Sequence, residues 1–210
     1  AFSPSALPPA AAPAAARPQP KAIHPPGRSY PPPDHRCHAP IVYVTQTGDL
    51  YKDGVRLGSS ARSYKTACSG DVAWVDSIGS LHLNTERLGS SASLYEIAWR
   101  TGDVAWSDSI GAMHRNAERL GSSVRIFSMN GYTGSVAWID SMGAMHLNGE
   151  RLGGSASRFK TALFTGDVAW LDQTGGMHRN AERLGGSGNS FEINDYTGAV
   201  AWTSQTGDMY

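Results

Sequence analysis

The chain has 210 residues, with 18 Lys and Arg balanced by 18 Asp and Glu, so its formal net charge is zero. It carries no basic run or stripe, which excludes the electrostatic footprint of a nucleic-acid binder. No apolar stretch approaches the length of a transmembrane helix.

All 12 prolines lie in residues 1–40. That opening segment is rich in Pro and Ala and poor in large apolar side chains, so it cannot bury enough surface to offset its ordering entropy. A disordered or polyproline-II-like tether is expected over 1–40, with a folded domain over 41–210. The chain starts at Ala1 rather than Met, as a processed exported protein would; a secreted or cell-surface location is the working expectation. Cys37 and Cys68 could pair in an exported chain. Against that, they occupy equivalent positions on neighbouring repeats, which are often too far apart for the Cα separation of about 5.5 Å that a disulfide needs. Both outcomes stay open.

From Ile41 onward the chain repeats. "GDVAWVDSIG" at 70–79 returns as "GDVAWSDSIG", "GSVAWIDSMG", "GDVAWLDQTG" and "GAVAWTSQTG", so Trp74, Trp106, Trp138, Trp170 and Trp202 recur every 32 residues. Within one copy, "TG" at 101–102, "IG" at 110–111 and "NA" at 116–117 read as two-residue turns between short apolar runs. They separate four strands, "LYEIAWR", "DVAWSDS", "AMHRN" and "ERLG", and leave no room for a helix. With Ile78–Gly79 as a two-residue turn, Trp74 stands opposite Leu83 and Asp76 opposite Leu81. One face would then carry Val72, Trp74, Leu81 and Leu88, and the other Ala73, Val75, His82 and Arg87.

A sheet with one bulky and one shallow face is stable only in a stack. Each Trp is expected to drop onto the Ala73-type position of a neighbouring sheet, where burial of the indole contributes about 4–6 kcal/mol as an upper value. Counting "IVYVTQTGDLYKDG" at 41–54, where Tyr43 takes the Trp position, the Trp strand occurs six times. The expectation is an all-β propeller of five or six four-stranded blades built from 32-residue tandem repeats.

Candidate binding residues recur with the same period. They are His82, Glu86 and Arg87; His114, Glu118 and Arg119; His146, Glu150 and Arg151; and His178, Glu182 and Arg183. Each Arg should pair across its hairpin with the His, and each Glu should stand on the opposite face. An Arg–Glu ion pair between blades is the structural reading; hydrogen bonds to sugar hydroxyls from the His–Arg edge are the functional one. Tyr51 and Tyr210 take the His position in the flanking copies, so the slot wants a planar ring with a polar edge. Metal ligation is disfavoured because no second His or Cys lies at ligand spacing in one copy. Asp76, Asp108, Asp140 and Asp172 read as acceptors of turn amides, and Asn84, Asn116, Asn148 and Asn180 as left-handed turn residues. No nucleophile elbow, P-loop or dinucleotide fingerprint is present, and no internal copy is conspicuously broken. A non-catalytic protein without cofactor or metal is expected.

The "GDLYKDG" at 48–54 and the recurring "TGDVAW" resemble secreted short-repeat propeller lectins of the tachylectin and tectonin type, loosely over residues 41–210 and with a shorter repeat here. The resemblance implies several equivalent carbohydrate sites between blades and no catalysis. Glycans or glycoconjugates on cell surfaces are the expected partners, with a protein-binding scaffold as the alternative.

Overall fold

The computed structural model describes Cys37 and residues 40–210; the expected tether lies, but for Cys37 and Pro40, outside the described residues. What is described is strand and turn throughout. β1 (Val42–Val44), β2 (Leu50–Lys52) and β3 (Val55–Gly58) make a three-stranded first sheet. The second sheet holds β4 (Ala61–Thr66), β5 (Val72–Asp76), β6 (Leu81–Leu83) and β7 (Glu86–Gly89). The third holds β8 (Ala92–Ile97), β9 (Val104–Asp108), β10 (Met113–Arg115) and β11 (Glu118–Gly121). The fourth holds β12 (Val124–Met129), β13 (Val136–Asp140), β14 (Met145–Leu147) and β15 (Glu150–Gly153). The fifth holds β16 (Ala156–Thr161), β17 (Val168–Asp172), β18 (Met177–Arg179) and β19 (Glu182–Gly185). β20 (Gly188–Ile193) and β21 (Val200–Ser204) pair in the sixth, where Met209 adds a single bridge to Thr203. Every ladder is antiparallel between chain neighbours, giving a propeller-like succession of blades in tandem 32-residue repeats.

The register differs from the expectation by one residue. Trp74 stands opposite His82 and Val75 opposite Leu81, because the connection is the three-residue Ser77–Ile78–Gly79. Gly79 closes it at φ 83°, and the Asp76 amide donates to the Ser80 carbonyl at 3.0 Å. A one-residue slip exchanges the faces of everything downstream. His82 and Arg87 therefore share the Trp74 face, while Leu81 and Leu83 lie with Ala73 and Val75. The next hairpin follows the expected register at first, with Leu83 opposite Glu86 and His82 opposite Arg87. A bulge then sets Leu81 against Gly89 and leaves Leu88 unmatched.

Stacking follows from these faces. Trp138 and Val136 of the fourth sheet pack on Ala105 and Met113 of the third. Trp170 and Val168 pack likewise on Ala137, Ile139 and Met145. The knob lands on the Ala73-type position, as expected, but Leu81-type residues line the receiving face. Each indole also covers a glycine of the preceding sheet's outer strand. A methyl group on Gly58, Gly89 or Gly153 would overlap the ring of Trp74, Trp106 or Trp170.

One backbone hook recurs between sheets: the first strand's leading amide bonds the carbonyl of the preceding sheet's turn, as from Ala92 to Gly79 at 3.0 Å and from Gly188 to Gly175 at 2.7 Å. β4 and β8, β8 and β12, and β16 and β20 come within 8 Å between Cα atoms, so first strands form the narrow side of the stack. The loops that follow them are correspondingly close. Cys68 N donates to Trp99 O at 2.5 Å, although the two are 31 residues apart. That proximity brings Cys37 to Cys68, and the two form a disulfide with Cα atoms 5.0 Å apart. The distance objection fails because these equivalent positions lie on the narrow side.

Candidate functional site

Each repeat builds the same cluster around its Trp. Asn84 takes φ 52° in the two-residue turn, and its side chain joins neighbouring strands: Oδ1 accepts from Val72 N at 3.1 Å and Nδ2 donates to Asp71 Oδ1 at 2.8 Å. Trp74 Nε1 donates to the Asn84 carbonyl at 2.7 Å. Asn116 and Asn180 repeat all of these bonds. In the fourth sheet Ser135 replaces the aspartate, and the buried Trp138 Nε1 has no hydrogen-bond partner among the described residues.

His82 lies flat on Trp74, ring centroids 4.1 Å apart and 12° from parallel. Its Nε2 donates to Asp76 Oδ2 at 3.2 Å; a carboxylate can only accept, which places the proton on that nitrogen. Asp76 Oδ1 meanwhile accepts from the amides of Ile78 at 3.1 Å and Ser80 at 2.8 Å. His114 with Asp108, His146 with Asp140 and His178 with Asp172 repeat the contact at 3.0 to 3.3 Å. The aspartates are turn acceptors and histidine acceptors at once.

Burial opposes ionisation of these carboxylates, but hydrogen bonds outweigh it. Asp76, Asp108 and Asp140 sit below the ordinary carboxylate range, held there by turn amides and the histidine. Asp172 falls to about 2, where the Thr174 hydroxyl, the Gly176 amide, His178 and the Thr174 amide overcome burial. Asp103 and Asp167 are lowered in the same way, by Asn116 with Arg115 and by Asn180 with Arg179.

The expected site triplets are brought together only in part. Each His and Arg are cross-strand neighbours, as Tyr51 and Arg56 are. Each Glu lies on the other face of its sheet, opposite Leu83, Arg115, Leu147 or Arg179. The Arg–Glu ion pair between blades does not form. Among the described residues the salt bridges run instead from Arg56 to Asp49, Arg115 to Asp103, Arg179 to Asp167 and Lys160 to Glu192, besides the His–Asp contacts. Glu and Arg are instead exposed on the outer strands. Among the described residues, no three His, Cys, Asp or Glu side chains converge as a metal site.

Two features were missed in the sequence. The first is a column on the loops after the first strands, one residue per sheet. The Arg100 guanidinium lies 4.3 Å over the Tyr132 ring, Tyr132 meets Phe164 edge-on at 4.7 Å, and Phe164 stacks on Tyr196 at 4.4 Å. Residues 100, 132, 164 and 196 share the 32-residue register, and that spacing was the available signal. The second is a row of apolar turn tips: Ile78, Ile110 and Met142 are 82%, 80% and 90% exposed on three consecutive sheets.

No family model matches the sequence, and no curated protein matches it. Among solved structures, the chain is similar to a catalytically inactive variant of virginiamycin B lyase from Staphylococcus aureus with quinupristin. Identity is 11%, 84% of this chain and 70% of that chain are covered, and the TM-score is 0.26. A likeness of that size carries no inference about activity. The disulfide fits folding in an oxidising environment.

Proposed function

We propose that the chain is a secreted, non-catalytic module that binds glycans multivalently through its repeated edges. One observation carries this reading. Four identical Glu–Arg pairs, Glu86–Arg87, Glu118–Arg119, Glu150–Arg151 and Glu182–Arg183, are exposed on the outer strands, and none is held in an ion pair among the described residues. Buried sequence is constrained by packing; these outward pairs are not, yet they recur unchanged. The histidines take a supporting role, since Trp and Asp already occupy one ring face and Nε2. Arg offers donors on one face of the outer strand and Glu acceptors on the other, so a glycan lying across the strand edge would meet both. Shallow sites of this kind bind weakly, on the order of millimolar, and several on one rigid scaffold gain roughly 10²–10⁴ in avidity on a dense glycan surface.

A glycan array followed by agglutination of glycan-coated beads tests the reading. The wild-type chain should retain glycan, and the Arg87→Ala, Arg119→Ala, Arg151→Ala, Arg183→Ala variant should lose agglutination while keeping its melting temperature. Retention of no glycan by the wild type would sink the reading. A protein-binding scaffold is the second reading, favoured by the three exposed apolar tips at Ile78, Ile110 and Met142.

A further inference from the structure

The turn after the Trp strand takes two forms along the chain. The turns after the Trp strands read Ser-Ile-Gly at 77–79 and 109–111 and Ser-Met-Gly at 141–143, but Gln-Thr-Gly at 46–48, 173–175 and 205–207. Only at the junction of the fifth and sixth sheets do two such glutamines fall on adjacent sheets in chain order. There Gln173 and Gln205 line an open cleft of about 470 Å³ together with Arg158, Asp172 and Asn189. That volume lies within the roughly 300–1,000 Å³ typical of small-molecule sites.

The wall of the cleft is close-packed at Gly188. Gly188 begins the first strand of the sixth sheet, where the third, fourth and fifth sheets have Ala92, Val124 and Ala156. Its φ is not in the left-handed region, so its backbone does not require glycine. Space does: a methyl there would press on Leu171 Cδ1 at 2.7 Å, and Leu171 is part of the cleft wall. Arg158 stands where the third and fourth sheets have Leu94 and Ile126, and Asn189 stands where they have Ser93 and Arg125. The Arg158 guanidinium bonds the Asn189 carbonyl and is thereby held at the cleft. The carboxamides of Gln173, Gln205 and Asn189 are exposed and make no side-chain hydrogen bond among the described residues. Asp172, in contrast, is saturated by its turn and His178.

We propose that this cleft is a saccharide site, taking one neutral pyranose residue through the carboxamides of Gln173, Gln205 and Asn189. Each carboxamide offers a donor and an acceptor side by side, the pattern that adjacent sugar hydroxyls present in return. The lining has no free acid beside a nucleophile, so the bound sugar is held, not cleaved. The proposal rests on the glycan reading above and deepens it, because it gives one junction a selective pocket that the identical outer edges lack.

The test uses side-chain amide resonances of the full chain in ¹⁵N-correlated NMR, titrated with galactose, mannose, glucose and N-acetylglucosamine. At least one sugar should shift the NH₂ signals of Gln173, Gln205 and Asn189 saturably. The Gln173→Ser, Gln205→Ser variant adopts the residue that three central sheets already use at this position, so it should fold. It should weaken that sugar's binding about tenfold or more, because partnered hydroxyls lose their mates. Shifts confined to the outer-strand arginines, or binding in the double variant within about twofold of wild type, would overturn the cleft and leave the glycan reading standing. No response to any of the four sugars, with an empty glycan array, would overturn both.

Discussion

Trp106 and His114 lie face to face across β9 and β10, ring centroids 4.0 Å apart and 12° from parallel, while the same imidazole donates to Asp108 at 3.3 Å. This contact joins the burial of one sheet to the turn geometry of its next connection. Tyrosine fills the slot in the flanking sheets, where Tyr43 stacks on Tyr51 at 5.3 Å and Trp202 on Tyr210 at 5.2 Å. His114→Tyr should therefore keep the stack and cost under about 1 kcal/mol, whereas His114→Ala should cost about 1–3 kcal/mol by losing the stack and the hydrogen bond. Denaturant midpoints of the two variants decide it; equal losses would show that the ring is not what matters.

The glycine under each indole is a steric seat. Gly89→Ala would force its methyl into the Trp106 ring, and an overpacked core contact costs about 1–3 kcal/mol. Gly186→Ala is the control: its methyl would meet only the Arg183 guanidinium, at 3.7 Å, so stability should change by less than about 0.5 kcal/mol. Thermal unfolding of both variants against wild type measures the contrast.

Acid should weaken the fold through its turn aspartates. Asp172 is held at about 2 in the folded chain, against about 3.9 for an unfolded aspartate. A depressed folded value means that the stabilisation is present above the unfolded pKa and lost as pH falls through the folded one. Asp172 therefore contributes about 1–2 kcal/mol above about pH 4, after allowance for solvent screening, and loses it as pH falls from about 4 to about 2. Asp76, Asp108 and Asp140 shift in the same direction. Asp172→Asn should flatten the fall in stability across that window, read from denaturation at stepped pH; an unchanged slope would count against it.

The Cys37–Cys68 bond closes a loop of 31 residues in sequence separation, which includes the whole first sheet. Loop-closure entropy puts its contribution at about 2–4 kcal/mol. Reduction, or the Cys37→Ser, Cys68→Ser variant, should lower the melting temperature. Hydrogen exchange should quicken chiefly at Val42–Val44 and Leu50–Lys52, with the fourth and fifth sheets little changed. Uniform loss of protection would show instead that the sheets unfold as one unit.

Much of this architecture was legible because it is local or periodic. The Trp spacing announced the repeat, and proline-free runs between Gly and Asn turns announced strands. Asp76 and Asn84 could be read as turn residues, since their chemistry acts on amides a few positions away. Face assignment was not legible. It depended on whether Ser77–Ile78–Gly79 closes with two residues or three, and one residue reverses which side chains share a face.

The residues themselves determined the 32-residue unit, its strands, its left-handed turn positions and the need of each Trp for a neighbouring sheet. Tertiary structure alone decided the rest, for a common reason: it concerns distances between sheets, which no local pattern encodes. Cys37 reaches Cys68 because loops crowd together on the narrow side of the stack. Arg87 and its counterparts stay exposed on the outer strands and pair with no glutamate among the described residues. Gln173 and Gln205, 32 residues apart in the chain, share a cleft because the fifth and sixth sheets stand side by side.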